Sequence, residues 1–418
     1  MATTPGLAAR RAALGLLTAA LQRRGGLETA LAGPALGELE VEDRAFARAL
    51  CMVTLRALGP VDRALDRRLT RPPPERVRHI LRLALTGAWR LRTPPFAAVD
   101  TAVALAPKAF KGLVNAVLRR ALEAGPPGDD PEVNAPAWLF ARWAAAFGRE
   151  TALAIAREIA SEPPTDLTLR DPSDSELAPI LEARPLGCGS LRTERGGDPA
   201  AWPGFDQGRW WVQDFAAAMP ARLLAPARGE TVLDLCSAPG GKALQLAAAD
   251  ARVTALDRSA ERLKRLQRNL HRTGLRAEIV VADALAWADP RTFAAALVDA
   301  PCSATGTFRR HPDVLWNVRP SEIAVLAGLQ GRLLDAAAAH LATGGRLVYA
   351  VCSLEREEGE DQARAFLRRS ADFRLDPVAP GEAGAPAASL APEGWLRILP
   401  HHIDGGLDGF FIARFARV

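Results

Sequence analysis

The stretch Val232-Leu233-Asp234-Leu235-Cys236-Ser237-Ala238-Pro239-Gly240-Gly241-Lys242 decides the fold. An apolar run turns over a glycine pair into the amphipathic segment 243–249. Strand, glycine turn and helix in that order set backbone N–H groups and a helix N-terminus beside a ligand at the carboxyl end of a first strand. The turn is not a P-loop, because Cys236 stands where the first Gly of that motif is required and Ala243 where Ser or Thr is. It is not GxGxxG either, which weakens a dinucleotide reading. Around it, short β-branched or apolar runs at 231–235, 252–256, 278–281, 295–298 and 346–349 alternate with amphipathic stretches. That alternation predicts an α/β domain with a doubly wound, mostly parallel sheet. Acids end the next two predicted strands. Asp257 is placed to accept ribose hydroxyls and Asp283 to meet an adenine edge, although each would serve equally as a helix N-cap.

Working outward, the 418 residues suffice for two or three domains, and 49% hydrophobic with 24% charged residues is globular composition. Residues 1–125 read as helical throughout, with apolar residues at spacings of three and four such as Val77, Leu81 and Ala84. The run 125–131, rich in Gly, Pro and Asp, reads as a linker. The expected division is therefore a helical domain at 1–125, a small intervening α+β part at 126–205, and the α/β domain at 206–418. The loop 376–394, rich in Pro, Ala and Gly, is expected to be mobile.

No apolar run approaches the length of a membrane span. The run 12–21 after Arg10 and Arg11 resembles an export signal, but Leu14, Leu17 and Leu21 share one helical face. Arg23 and Arg24 stand where a cleavage site needs small residues, so the run reads as a surface helix. The net charge of +5 is unevenly placed: residues 1–125 hold 20 Lys and Arg against 10 Asp and Glu, a balance of +10, and the remainder is at −5. A basic helical third is a nucleic-acid footprint, weakened here because 49 of the 53 basic residues are Arg in an Ala-rich chain.

The five cysteines, Cys51, Cys188, Cys236, Cys302 and Cys352, are odd in number and widely spaced, with no CxxC. Neither a disulfide framework nor a metal knuckle is supported, and a reducing cytoplasm fits best. His401-His402 has no ligand partner at metal spacing and reads as a surface loop. Two of the cysteines are placed alike. One predicted strand leads into Asp299-Ala300-Pro301-Cys302-Ser303 and the next into Ala350-Val351-Cys352-Ser353, so both thiols sit at the mouth of one crevice. Either alone is more readily a core residue.

These segments, with 234–242, resemble the Sun/Nop-type RNA cytosine-5 methyltransferases. The resemblance covers nearly the whole chain. It includes Val114-Asn115-Ala116-Val117-Leu118-Arg119-Arg120, which is similar to the signature of the NusB-like RNA-binding domain in the ribosomal-RNA branch. Trp211-Val212-Gln213-Asp214, Arg309-Arg310-His311-Pro312-Asp313 and Asp408-Gly409-Phe410-Phe411-Ile412-Ala413 resemble further family segments. It implies a Rossmann-like class I methyltransferase domain that uses S-adenosylmethionine. Cys352 would add to cytosine carbon 6 and make carbon 5 nucleophilic, Cys302 would assist release, and Asp299 would bind near ring N3 as an acid of raised pKa. Cys236, Ser237, Ala238, Pro239, Gly240, Gly241, Lys242, Asp257, Asp283 and Asp299 would hold the methyl donor. Arg309, Arg310, His311, Arg119 and Arg120 are candidate RNA contacts, and Trp210, Trp211 and Trp316 could stack on bases or pack in the core.

The chain departs from the family pattern at Ser237 for a frequent Ala, at Ala304 for a frequent Gly, expected to tighten the base pocket, and at Val351 for the usual Thr. The expectation is a cytoplasmic monomer without metal, acting on RNA, most directly small-subunit ribosomal RNA. The alternatives are the same chemistry on transfer RNA, a DNA methyltransferase with Cys302 as nucleophile, and a non-catalytic RNA-binding assembly factor.

Overall fold

The computed structural model describes residues 6–22 and 25–418, so Arg23 and Arg24 lie outside the described residues. The chain forms two compact units. One is Met1–Glu162 with Arg310–Val318, and the other is Pro163–Arg309 with Arg319–Val418. Residues 126–162 thus join the helical unit rather than the mixed segment after them. The 3-10 turn Pro131–Asn134 packs on the helices Leu58–Asp66 and Arg149–Arg157, and the buried Asn134 Nδ2 donates to Ala156 O at 3.1 Å.

The helical unit is built on stripes of period 3.6. The helix Leu7–Gln22 buries Ala9, Ala13, Leu14, Leu16, Leu17 and Ala20 in its core, so the expected surface helix is sunk along one face. The helix Glu75–Arg90 buries Val77, Ile80, Leu81 and Leu85 in that same core. The triple proline lies between the helix that ends at Asp66 and the one that starts at Glu75, and its missing N–H groups suit the entry to the latter. Arg310–Val318 contributes to this unit. Leu315 is buried, Trp316 Nε1 donates to Leu55 O at 3.2 Å, and Asn317 Nδ2 donates to Ala20 O at 2.5 Å.

The second unit holds two sheets. The smaller has β1 (Thr165–Leu169), β2 (Ala183–Gly187), β3 (Ser190–Thr193) and β4 (Trp210–Val212) in the order β2-β3-β1-β4, all antiparallel. The larger is formed by β5 (Thr231–Leu235), β6 (Arg252–Asp257), β7 (Glu278–Val281), β8 (Phe293–Asp299), β9 (Leu341–Val351), β10 (Phe373–Leu375), β11 (Leu396–Ile398) and β12 (Phe410–Arg417). Its order is β10-β12-β9-β8-β5-β6-β7, with β11 paired to β12. β5 to β9 are parallel to one another, and β12 runs antiparallel to β9, β10 and β11.

Side chains alternate between two apolar layers. Val232, Ala295, Leu297 and Val348 face one layer, with the helices Phe215–Leu224 and Gly241–Ala248. Leu233, Leu235, Val298 and Tyr349 face the other, with Pro320–Ala339 and Glu360–Arg369. Burial on both faces is what makes these strands read as near-continuous apolar runs. The loop 376–394 is tied down rather than free. Asp376 N donates to Arg414 O at 2.8 Å, Val378 N to Gly394 O at 2.8 Å, and the Arg414 guanidinium pairs with Asp376 and Glu382. Strand order reverses between β5 and β8, and ligands of such sheets bind in the crevice at that switch point. Among the described residues no helix is long and apolar enough to cross a membrane.

Candidate active site

On the β5 side of the switch point stands Asp234, a fully buried carboxylate inside an apolar strand. Ser237 Oγ donates to its Oδ2 at 2.6 Å, and its Oδ1 has no hydrogen-bond partner. Burial pushes this carboxyl up to about 7, opposed by the Ser237 hydroxyl and reinforced by the charge of Asp299. The turn beyond it is tight, with Cys236 at φ 60° and Gly240 at φ 110°. A Cβ at Gly240 would run into Leu266, so glycine is required there twice over. Burial, with the charges of Asp257, Asp299 and Asp234, pushes the Cys236 thiol up to about 12, and it stays protonated.

Asp257, 3% exposed, ends β6 and accepts from Ser259 N at 2.8 Å and Ala238 N at 3.2 Å, which fixes the turn. Asp283 lies two residues past β7, is exposed, and accepts from Leu285 N at 3.0 Å. Both acids therefore make turn-capping bonds while standing at strand ends around one crevice. Across the switch point, Lys242 Nζ donates to Asp299 Oδ2 at 2.7 Å and lies 5.4 Å from the Phe410 ring centroid. Lys242 and Asp299 thus face one another as an ion pair across the crevice.

On the β8 and β9 side the two cysteines meet. Asp299 pairs with Ala350 in register, and Ala300 N donates to Ala350 O at 3.0 Å. Cys302 and Cys352 therefore leave adjacent strand ends together, with their sulphurs 3.4 Å apart. Gly306 N donates to Cys352 O at 3.0 Å, and Gly409 N to Gly306 O at 2.8 Å. A Cβ on Gly306 would strike the Gly409 backbone. The hydrogen bond to Cys352, then burial, hold the Cys302 thiol well above its usual range. Ala304 has φ 61°, in the left-handed region. Glycine is favoured at such a position on backbone grounds alone.

Other candidates are placed apart from this cluster. Arg309, read as an RNA contact, is 3% exposed and donates to Gly405 O, so it is a packing residue in this arrangement. Arg310 and His311 belong to the segment that joins the helical unit. Arg119 and Arg120 are exposed on the helix Lys111–Ala124, with Arg119 Nε held by Asn115 Oδ1 at 3.1 Å. Trp210 and Trp211 are buried, and their N–H groups donate to Pro203 O and Gln213 Oε1, so they pack rather than stack on bases. Gln330 and Glu358 were not among the site residues expected from the sequence. Glu358 hid in an acidic run that looks like a solvated face.

Residues 221–416 match the family model described as 16S rRNA methyltransferase RsmB/F, and residues 7–123 match the NusB family. Curated relatives named ribosomal RNA small subunit methyltransferase B include those of Cronobacter sakazakii, 37% identical over 90% of this chain and 91% of that one, and Escherichia coli K12, 36% identical over the same shares. Among solved structures, PH0851 superposes with a TM-score of 0.78 over 99% of each chain at 23% identity. A methyltransferase homologue from Pyrococcus horikoshii superposes with a TM-score of 0.57 at 28% identity, over 67% of this chain and 95% of that one. The parallel sheet with its two thiol-bearing strand ends is thus a Rossmann-like methyltransferase domain behind a NusB-like helical one, and the chain belongs to the 16S rRNA methyltransferase RsmB/F family.

Proposed function

We propose that this chain methylates carbon 5 of a cytosine in small-subunit ribosomal RNA through a covalent adduct on Cys352. The observation that carries the reading is the pair of sulphurs 3.4 Å apart at the ends of two adjacent parallel strands, beside the Lys242–Asp299 bridge. The residues around β5 fit S-adenosylmethionine. The unpartnered Oδ1 of Asp234 offers a buried acceptor, the 236–242 turn presents backbone, and Asp257 and Asp283 stand at the next strand ends. When bound, that cofactor supplies the methyl group.

The protein's own part begins with the thiols. The contact with Cys352, then burial, keep Cys302 protonated, and the family resemblance assigns the attack to Cys352. The Cys352 sulphur, as the thiolate, forms a bond to ring carbon 6, and the displaced electron pair moves towards N3, where the Lys242 ammonium, held in place by Asp299, meets the growing negative charge. Carbon 5 then takes the methyl group, its proton passes to water, the C–H electron pair re-forms the 5–6 double bond, and the carbon 6–sulphur bond breaks to return the thiolate. Cys302, in contact with that sulphur, assists the last step. The NusB-like part, with Arg119 and Arg120 exposed, supplies phosphate contacts. RNA is the partner, and the cytoplasm is the compartment proposed. Incubation with 5-fluorocytosine RNA and S-adenosylmethionine, followed by peptide mapping, tests the assignment. An adduct on Cys352 supports it, and an adduct on Cys302 overturns it.

A further inference from the structure

The two cysteine turns are joined from beneath by one residue outside both of them. Glu358 lies six residues past Cys352 and is fully buried. Its Oε1 accepts from Ser303 N at 2.8 Å and from Gln330 Nε2 at 3.1 Å. Its Oε2 accepts from Ser353 Oγ at 2.5 Å and from Ser303 Oγ. Four donors fill the acceptor capacity of a carboxylate. Ser303 follows Cys302 and Ser353 follows Cys352, so a single carboxylate grips both turns one residue past each sulphur.

The grip is itself braced. Tyr349 OH donates to Glu358 O at 2.5 Å, Gln330 Nε2 also donates to Pro301 O at 3.0 Å, and Arg397 Nη1, its guanidinium paired with the buried Glu360, donates to Ser353 O at 2.6 Å. A buried carboxylate is expensive to desolvate, and well-packed apolar residues commonly hold two loops together as well or better. What it adds is direction. Short charge-assisted bonds fix both serine rotamers and thereby the backbone that carries each sulphur.

We propose that Glu358 is a positioning residue for methyl transfer, one that locks the Cys302 and Cys352 turns together and so sets the two sulphurs at reacting distance. This rests on the reading of the pair as the reacting thiols. Glu358 also adds its negative charge to the forces that keep Cys302 protonated. It is fully buried and bonds to Ser303, Gln330 and Ser353 rather than to the β5 turn, so its effect belongs on the chemical step and not on binding.

The test is Glu358→Gln in the full-length chain, which keeps the shape and loses the charge and two acceptor sites. Steady-state methyl transfer is measured with both substrates varied, and iodoacetamide labelling of Cys302 and Cys352 is followed against pH by peptide mass spectrometry. The expected result is a kcat lowered about 10- to 100-fold, as for a small misplacement of reacting groups, with both KM values within about twofold and Cys302 labelled at lower pH. A kcat within twofold of the parent, or an unchanged labelling profile, overturns the proposal. If Glu358→Gln does not fold, Ser353→Ala, which removes one of the four bonds, is judged by the same kcat and KM criteria. The parent enzyme is run in parallel with 5-fluorocytosine RNA. An adduct on Cys352 there, with Glu358→Gln fully active, sinks only the positioning role. No adduct on Cys352 sinks the thiol assignment and this proposal with it.

Discussion

The two sides of the switch point are built to opposite rules. At the end of β5 a buried carboxylate oxygen of Asp234 has no partner, and the chain bends through left-handed backbone at Cys236 and Gly240. At the ends of β8 and β9 the buried carboxylate of Glu358 takes four hydrogen bonds, and the thiols already touch. Buried polar groups are normally satisfied, and on the proposed reading the β5 side is a seat finished by what binds. The cysteine side is finished in advance, apart from Gln330 Oε1, which has no partner. Binding tolerates that incompleteness, whereas covalent chemistry needs its groups placed before the substrate arrives.

The contrast breaks most visibly if the tool is removed and the seat is left. Cys352→Ala should bring methyl transfer below detection, as loss of a nucleophile does, while calorimetry shows S-adenosylmethionine bound as before. Lost cofactor binding in that variant would erase the distinction. Cys302→Ala should still transfer methyl but stay attached to RNA, seen as a band that survives denaturing electrophoresis. Normal turnover would remove the release role.

The converse change is Asp234→Asn, expected to weaken cofactor binding about 10- to 100-fold, the worth of a lost charged hydrogen bond, with the Cys302 and Cys352 labelling profiles unmoved. Its pH behaviour has a defined sign. The folded value of about 7 lies above the ordinary 3.8. The stability this group contributes is therefore full below about pH 4 and is lost as pH rises towards 7. Thermal melting of the cofactor-free protein should show that loss, and Asp234→Asn should flatten it. If the cofactor's cationic amino group lies on Asp234, affinity should rise with pH up to about 7 and then level off.

The smallest effect concerns the loop after Cys302. Ala304→Gly should raise stability by about 1 kcal/mol by relieving left-handed strain, read as a higher melting temperature with little change in KM.

The cofactor side was largely legible because its signal is local. A strand, a glycine turn and a helix are adjacent in sequence, and β5 to β9 coincide with the apolar runs to within a few residues. The pairing of Cys302 with Cys352 was legible too, since matching positions at strand ends put them above one crevice. The roles of the two thiols were not, and that reading needed the family. Glu358 was missed for a physical reason. Two of its three side-chain partners are 55 and 28 residues away along the chain, and a Glu in the run Glu355-Arg356-Glu357-Glu358 carries no mark of burial. Arg309 failed in the opposite sense, because a basic motif next to a catalytic loop looks like a phosphate contact, yet its guanidinium spans to Gly405 O. The boundary expected near 125 followed composition, while the packing of Asn134 against Ala156 carries the helical unit on to Glu162.

The excursion Arg310–Val318 bears on the order in which the molecule is made. The helical unit is not complete when residue 162 has been synthesised, since Leu55 O and Ala20 O still await Trp316 and Asn317. Translation must run through β5 to β8 before the first-made unit receives its last piece. The N-terminal helices therefore wait, one segment short, until the strand that delivers Cys302 has left the ribosome.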